Sequence, residues 1–149
     1  REVKPIATKE SHQRWYLVAL DKKNNVVKTF GLDRISNLKI TDTKFKPVAY
    51  NVEKEFQHAF GVETYEAAEK VVLEFSNKQG NYIKTFPLHQ SQRIVEETED
   101  TVIIEIFIHT TNDIKMELLK YGSNVKVIAP ISLQNDIKNR ISEMSNLYI

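Results

Sequence analysis

Residues 14–34 read RWYLVALDKKNNVVKTFGLDR, and the fold of the front of the chain follows from this stretch. Trp15-Tyr16-Leu17-Val18-Ala19-Leu20 is too short for an amphipathic helix and lacks helical spacing. It has the aromatic and apolar density of a strand packed on both sides. Asp21-Lys22-Lys23-Asn24-Asn25 supplies turn residues, and Val26-Val27-Lys28-Thr29-Phe30 returns as strand. Working outward, residues 3–8 form a further candidate strand, with Pro5 tolerable near an edge. Residues 35–43 alternate loosely through Ile35, Leu38 and Ile40 and are taken as a fourth. Four short strands at this spacing predict a small antiparallel barrel or curled sheet.

Beyond Pro47, Val52, Phe56, Ala59 and Phe60 mark one face of a short helix, with Gly61 placed as a left-handed cap. Residues 70–75 (KVVLEF) are a strand. A helix over 77–86 carries Tyr82, Ile83 and Phe86 and stops at Pro87. Residues 89–98 are extended, His89 serves a local turn, and the acidic residues 96–100 mark the next turn. TVIIEIFIH at 101–109 is the clearest strand. Thr111 or Asn112 opens a helix that Gly122 ends, and residues 125–129 form a last strand before Pro130. Ser132 is placed as the cap of a final helix with Leu133, Ile137 and Ile141 at four-residue intervals. The order βαββαβ plus a helix is ferredoxin-like. The expected fold is α+β, divided into residues 1–62 and 63–149.

Composition narrows the chemistry. A chain of 149 residues, 41% hydrophobic and 28% charged, is globular. No apolar run is long enough to span a membrane. The absence of cysteine excludes disulfides and thiol catalysis and suits a reducing cytoplasm. The net charge of +1 hides an asymmetry: residues 1–50 hold eleven Lys and Arg against five acids, residues 51–149 ten against fifteen. A basic front half suggests an anionic partner. His12, His58, His89 and His109 lack metal-ligand pairing, and four glycines make no phosphate loop. Neither a metal, a cofactor nor a catalytic set is expected, and an enzyme is the weakest reading.

The front segment also carries a family likeness. RWYL, a turn, then KTFGLDRI resembles the WYL domain, a module of bacterial transcriptional regulators that follows a winged helix-turn-helix. The later pattern, including YGSNVKVIAP and Tyr148, resembles the C-terminal extension of WYL proteins. The likeness implies an Sm-like, SH3-type barrel and then the ferredoxin-like domain. It also implies that residues 1–5 follow a first strand lying outside this chain, so that the chain starts inside the domain.

Function is expected from the same residues. The resemblance implies a ligand-sensing region that binds single-stranded nucleic acid or a nucleotide and controls operator binding by an N-terminal domain. Arg14, Lys28 and Arg34 would neutralise phosphates while Tyr16 offers a stacking face. Arg1, Lys4 and His12 are secondary candidates on the same sheet. Lys28 stands where the family usually has Arg, and Gly31 where a basic residue is common. Trp15 and Leu17 are expected in the core. A regular strand would turn Lys28, Phe30, Leu32 and Arg34 to one side, unless a kink at Gly31 frees one end. The alternative is a homodimerising scaffold in which strand 101–109 extends a sheet across subunits.

Overall fold

The computed structural model describes residues 1–149, which divide into Arg1–Gln57 and His58–Ile149. No helix is long and apolar enough to cross a membrane.

The first unit is a three-stranded antiparallel sheet of β1 (Val3–Ser11), β2 (Arg14–Asp21) and β3 (Val26–Gly31), with β2 central. Pro5 lies on edge strand β1, where the register slips between Pro5 and Ala7, so its missing N–H interrupts no inner ladder. His12 and Gln13 join β1 to β2 in a two-residue turn, at φ 50° and 63°. Both positive angles match the twist that tight hairpins require, although neither residue is glycine.

The expected fourth strand does not form, and the sheet stays open instead of closing as a barrel. Residues 35–50 are irregular, Asn37 sits at φ 53°, and Leu38 and Ile40 are 74% and 94% exposed. Ile35 and Leu38 are three apart and cannot share a strand face, so the apolar pattern gave no face to bury. Trp15, expected in the core, is 55% exposed: it lies at the start of β2 beside the His12–Gln13 turn, whereas Ala19 and Asp21 further along the same face are buried. Helix α1 (Val52–Phe56) is capped by Asn51, whose Oδ1 accepts from the Lys54 N–H at 3.0 Å.

The second unit runs β4 (Ala68–Ser76), α2 (Asn77–Thr85), β5 (Arg93–Glu97), β6 (Thr101–His109), α3 (Asn112–Lys120), β7 (Val125–Ala129) and α4 (Ile131–Asn146). Its sheet order, β5-β6-β4-β7, is the ferredoxin-like arrangement the sequence predicts. Alternation in β4 and β6 sends Val71, Leu73, Phe75, Val102, Ile104, Ile106 and Ile108 into one fully buried face. Ile83, Ile114, Leu118 and Leu133 close over it from the helices. The other face carries ion pairs, Glu105 holding Arg93 at 2.5 Å and Lys70 at 3.5 Å.

Several local expectations change. Strand 101–109 lies between β4 and β5, so it cannot extend a sheet across subunits; the open edges are β5 and β7. Gly61 is not a left-handed cap, since only Gly122 among the glycines has positive φ. Gly61 instead permits close approach: a Cβ there would collide with the Asp113 carboxylate, which accepts from the Val62 and Glu63 N–H groups at 2.8 and 3.1 Å. Glu63 returns the contact by accepting from the Asp113 N–H at 3.1 Å. Ser132 lies inside the first turn of α4, with Pro130 at the cap position. Tyr82 and Phe86 point outward, leaving Ile83 as the buried anchor of α2. His89 does serve a turn, its Nδ1 accepting from the Ser91 N–H at 3.1 Å.

Candidate nucleic-acid interface

Register decides which side chains of the first unit meet. Tyr16 lies opposite Lys9 on β1 and Gly31 on β3, while Ala19 lies opposite Lys28 and Leu17 opposite Phe30. Directly opposed residues share a face, and neighbours along a strand alternate. One face therefore carries Tyr16 with Lys4, Lys9 and Arg14. The other carries Trp15, Leu17, Asp21, Lys28 and Phe30.

Lys28 and Arg1 are thus separated from Tyr16. Both are engaged by Asp21, which is almost fully buried: Lys28 Nζ donates to Oδ2 at 2.9 Å, and Arg1 Nε lies 3.5 Å from the same oxygen. The Lys23 N–H donates to Oδ1 at 3.0 Å, and the Asp21 carbonyl accepts from the Asn25 N–H at 2.8 Å, fixing the turn. The Lys28 hydrogen bond, helped by Lys23 and the nearby charges, holds the Asp21 carboxyl below its usual range. Arg1 also stands over the Phe30 ring at 5.8 Å. These two cations keep a buried carboxylate ionised.

Arg34 behaves differently because β3 ends at Gly31 and Leu32–Arg34 form a single 3-10 turn. The turn breaks the strand parity that would have placed Arg34 with Lys28. A Cβ on Gly31 would lie 2.7 Å from Asp33 Oδ1 and 3.7 Å from Arg34 Nε. Both side chains therefore fold back over the face that Tyr16 shares, and glycine leaves them room. Arg14 reaches Asp33 at 3.6 Å with both groups more than half exposed, a contact worth at most about 1 kcal/mol. Such a pair leaves the guanidinium available to a phosphate.

Of the seven sequence candidates, Arg14, Tyr16, Arg34 and Lys4 share a face, and exposed His12 stands at the hairpin tip beside Arg14. Lys28 and Arg1 do not join them. Lys9 is the residue that sequence reasoning missed. It lies opposite Tyr16, with its ammonium over the Phe56 ring at 5.4 Å. Counting back from a two-residue turn at His12–Gln13 pairs position 9 with 16, but no glycine flagged that turn. The resulting surface joins four cations to one half-buried phenol, with Asp33 as its internal anion.

Two family models match the chain: the WYL domain over residues 1–40 and the WCX domain over residues 67–145. No curated protein matches it in sequence. Among solved structures, Proteasome accessory factor B/C (PafBC) of Arthrobacter aurescens is similar at 21% identity and a TM-score of 0.44. The likeness covers 95% of this chain and 22% of that one, so the chain spans about a fifth of the longer protein's length.

Proposed function

Because the chain belongs to the WCX domain family and carries a WYL domain ahead of it, we propose that it is the ligand-sensing region of a cytoplasmic bacterial transcriptional regulator. Its ligand is single-stranded nucleic acid or a nucleotide. The ligand is taken on the face of Arg14, Tyr16, Lys4 and Arg34, and binding alters how a separate N-terminal domain engages operator DNA. The role is regulatory, not catalytic. One observation carries the reading: the turn after Gly31 brings Arg34 to the face of Tyr16 and Arg14.

The chemistry follows from that placement. Planar guanidinium groups fork onto phosphate oxygens, and the tyrosine ring stacks on a base whatever its identity. The open sheet lets an extended strand lie across the face. Fluorescence anisotropy with a labelled oligothymidylate, titrated across salt, tests this. Affinity should fall steeply as salt rises, and Arg34→Gln should weaken binding about tenfold, as expected for one charge-assisted contact. Salt-insensitive binding, or an Arg34→Gln variant equal to the parent, would remove the proposal.

A further inference from the structure

The cationic face of the first unit carries one carboxylate, for which phosphate binding alone has no use. Asp33 Oδ1 would lie 2.7 Å from a Cβ on Gly31, and Gly31 is the register partner of Tyr16. Opposed Cβ positions are about 4.5–5.5 Å apart, so the carboxylate stands beside the tyrosine. Arg14 Nη1 is 3.6 Å from Asp33 Oδ2, and Arg34 Nε would lie 3.7 Å from the same Gly31 Cβ. Two guanidinium groups therefore flank the acid. At 3.6 Å the Arg14 contact is a charge pair and not a hydrogen bond, so both oxygens keep their acceptor capacity. Because the Asp33 side chain is 56% exposed, a ligand can displace that contact at little cost.

The chemistry of a carboxylate selects among bases. It accepts hydrogen bonds and donates none. Only the Watson–Crick edge of guanine presents two neighbouring donors, N1–H and N2–H, at a spacing that suits two carboxylate oxygens. Adenine and cytosine each offer one amino donor next to a ring-nitrogen acceptor. Thymine and uracil offer one N–H between two carbonyls. Each of those edges sets a lone pair against an Asp33 oxygen, and an unmatched acceptor costs affinity. From this juxtaposition of ring, acid and guanidinium groups, we infer that the face reads guanine. The base stacks on Tyr16, its N1–H and N2–H donate to Asp33, and the adjoining phosphates meet Arg14 and Arg34. Unpaired strands leave that edge of the base open to a protein. The inference rests on the nucleic-acid reading of this face and names the base that it prefers.

The test uses fluorescence anisotropy with the full chain and three labelled oligonucleotides: heptathymidylate, and the same strand with its central base changed to guanine or to adenine. The guanine strand should bind about tenfold more tightly than either of the others, the size of one bidentate base contact. Asp33→Asn exchanges an acceptor oxygen for a donor and should bring the three strands within about twofold. Heptathymidylate should bind that variant no more weakly than it binds the parent, since Arg14 loses only a competing anion. Equal affinity of the parent for the guanine and adenine strands would overturn the assignment. So would an Asp33→Asn variant that shifts all three strands alike and keeps the preference, because Asp33 would then only position Arg14. Salt-sensitive binding without base preference defeats this inference alone, whereas no binding of any strand defeats it together with the reading beneath it.

Discussion

The two units place their apolar residues in opposite ways. In residues 58–149 the alternating strands and the helix anchors pack into one sealed core. In residues 1–57 only Val18 and Ala19 are fully buried apolar side chains, while Trp15 stands largely in solvent. The second unit is held by volume and the first by register, a tight turn and the ion pairs of Asp21. A region organised by register can array several cations on one face, because no dense core dictates which side chains must turn inward.

The contrast can be broken at its strongest point first. Phe75 is fully buried and meets Tyr121 edge to face at 5.5 Å, so Phe75→Ala should cost the second unit about 3–5 kcal/mol in urea unfolding. A loss below about 1 kcal/mol would mean that the unit does not depend on tight packing. The next test concerns a sign. Gly80→Ala in an open helix stabilises by about 0.5–1 kcal/mol, yet a Cβ here would lie 2.5 Å from Val102 Cγ2. The variant should therefore destabilise by about 1–3 kcal/mol, and a raised melting temperature would contradict the close approach of α2 to β6.

A smaller effect, confined to acid, belongs to the first unit. The Asp21 carboxyl titrates lower when folded than when unfolded, so below its unfolded value near 4 the unfolded chain binds more protons. The stability it contributes is complete above about pH 4 and is lost as pH falls through the folded value. Asp21→Asn should flatten that acid slope, measured by unfolding from pH 6 to pH 2.5. An unchanged slope would show that Arg1 and Lys28 do not hold the carboxylate. Smallest of all is Lys28→Gln, which keeps a donor for Asp21 and lies on the face away from Tyr16. Oligonucleotide affinity should stay within about twofold, against the tenfold loss at Arg34.

Most of the second unit was legible because its signals are local and long. Nine alternating residues fix β6, Gly122 ends α3 with its positive φ, and Pro130 closes β7. That β6 would be an inner strand was not legible, since sheet order is set by pairing between distant segments. The hairpin of β2 and β3 was legible from its composition, but the division of its cations was not. Lys28 and Arg34 look equivalent in sequence, and only the turn after Gly31 sends them to different faces. Trp15 misled for a related reason: its size argues for burial, but it stands at the hairpin end beside a turn that no glycine marks, while Ala19 and Asp21 on its own face are the buried ones.

The most direct test maps oligothymidylate binding by amide chemical shifts on the isotope-labelled chain. The largest changes should fall at Lys9, Arg14, Tyr16, Gly31 and Arg34, with the amides of Asp21 and Lys28 nearly still. Changes centred on Asp21 and Lys28, or confined to residues 58–149, would contradict it.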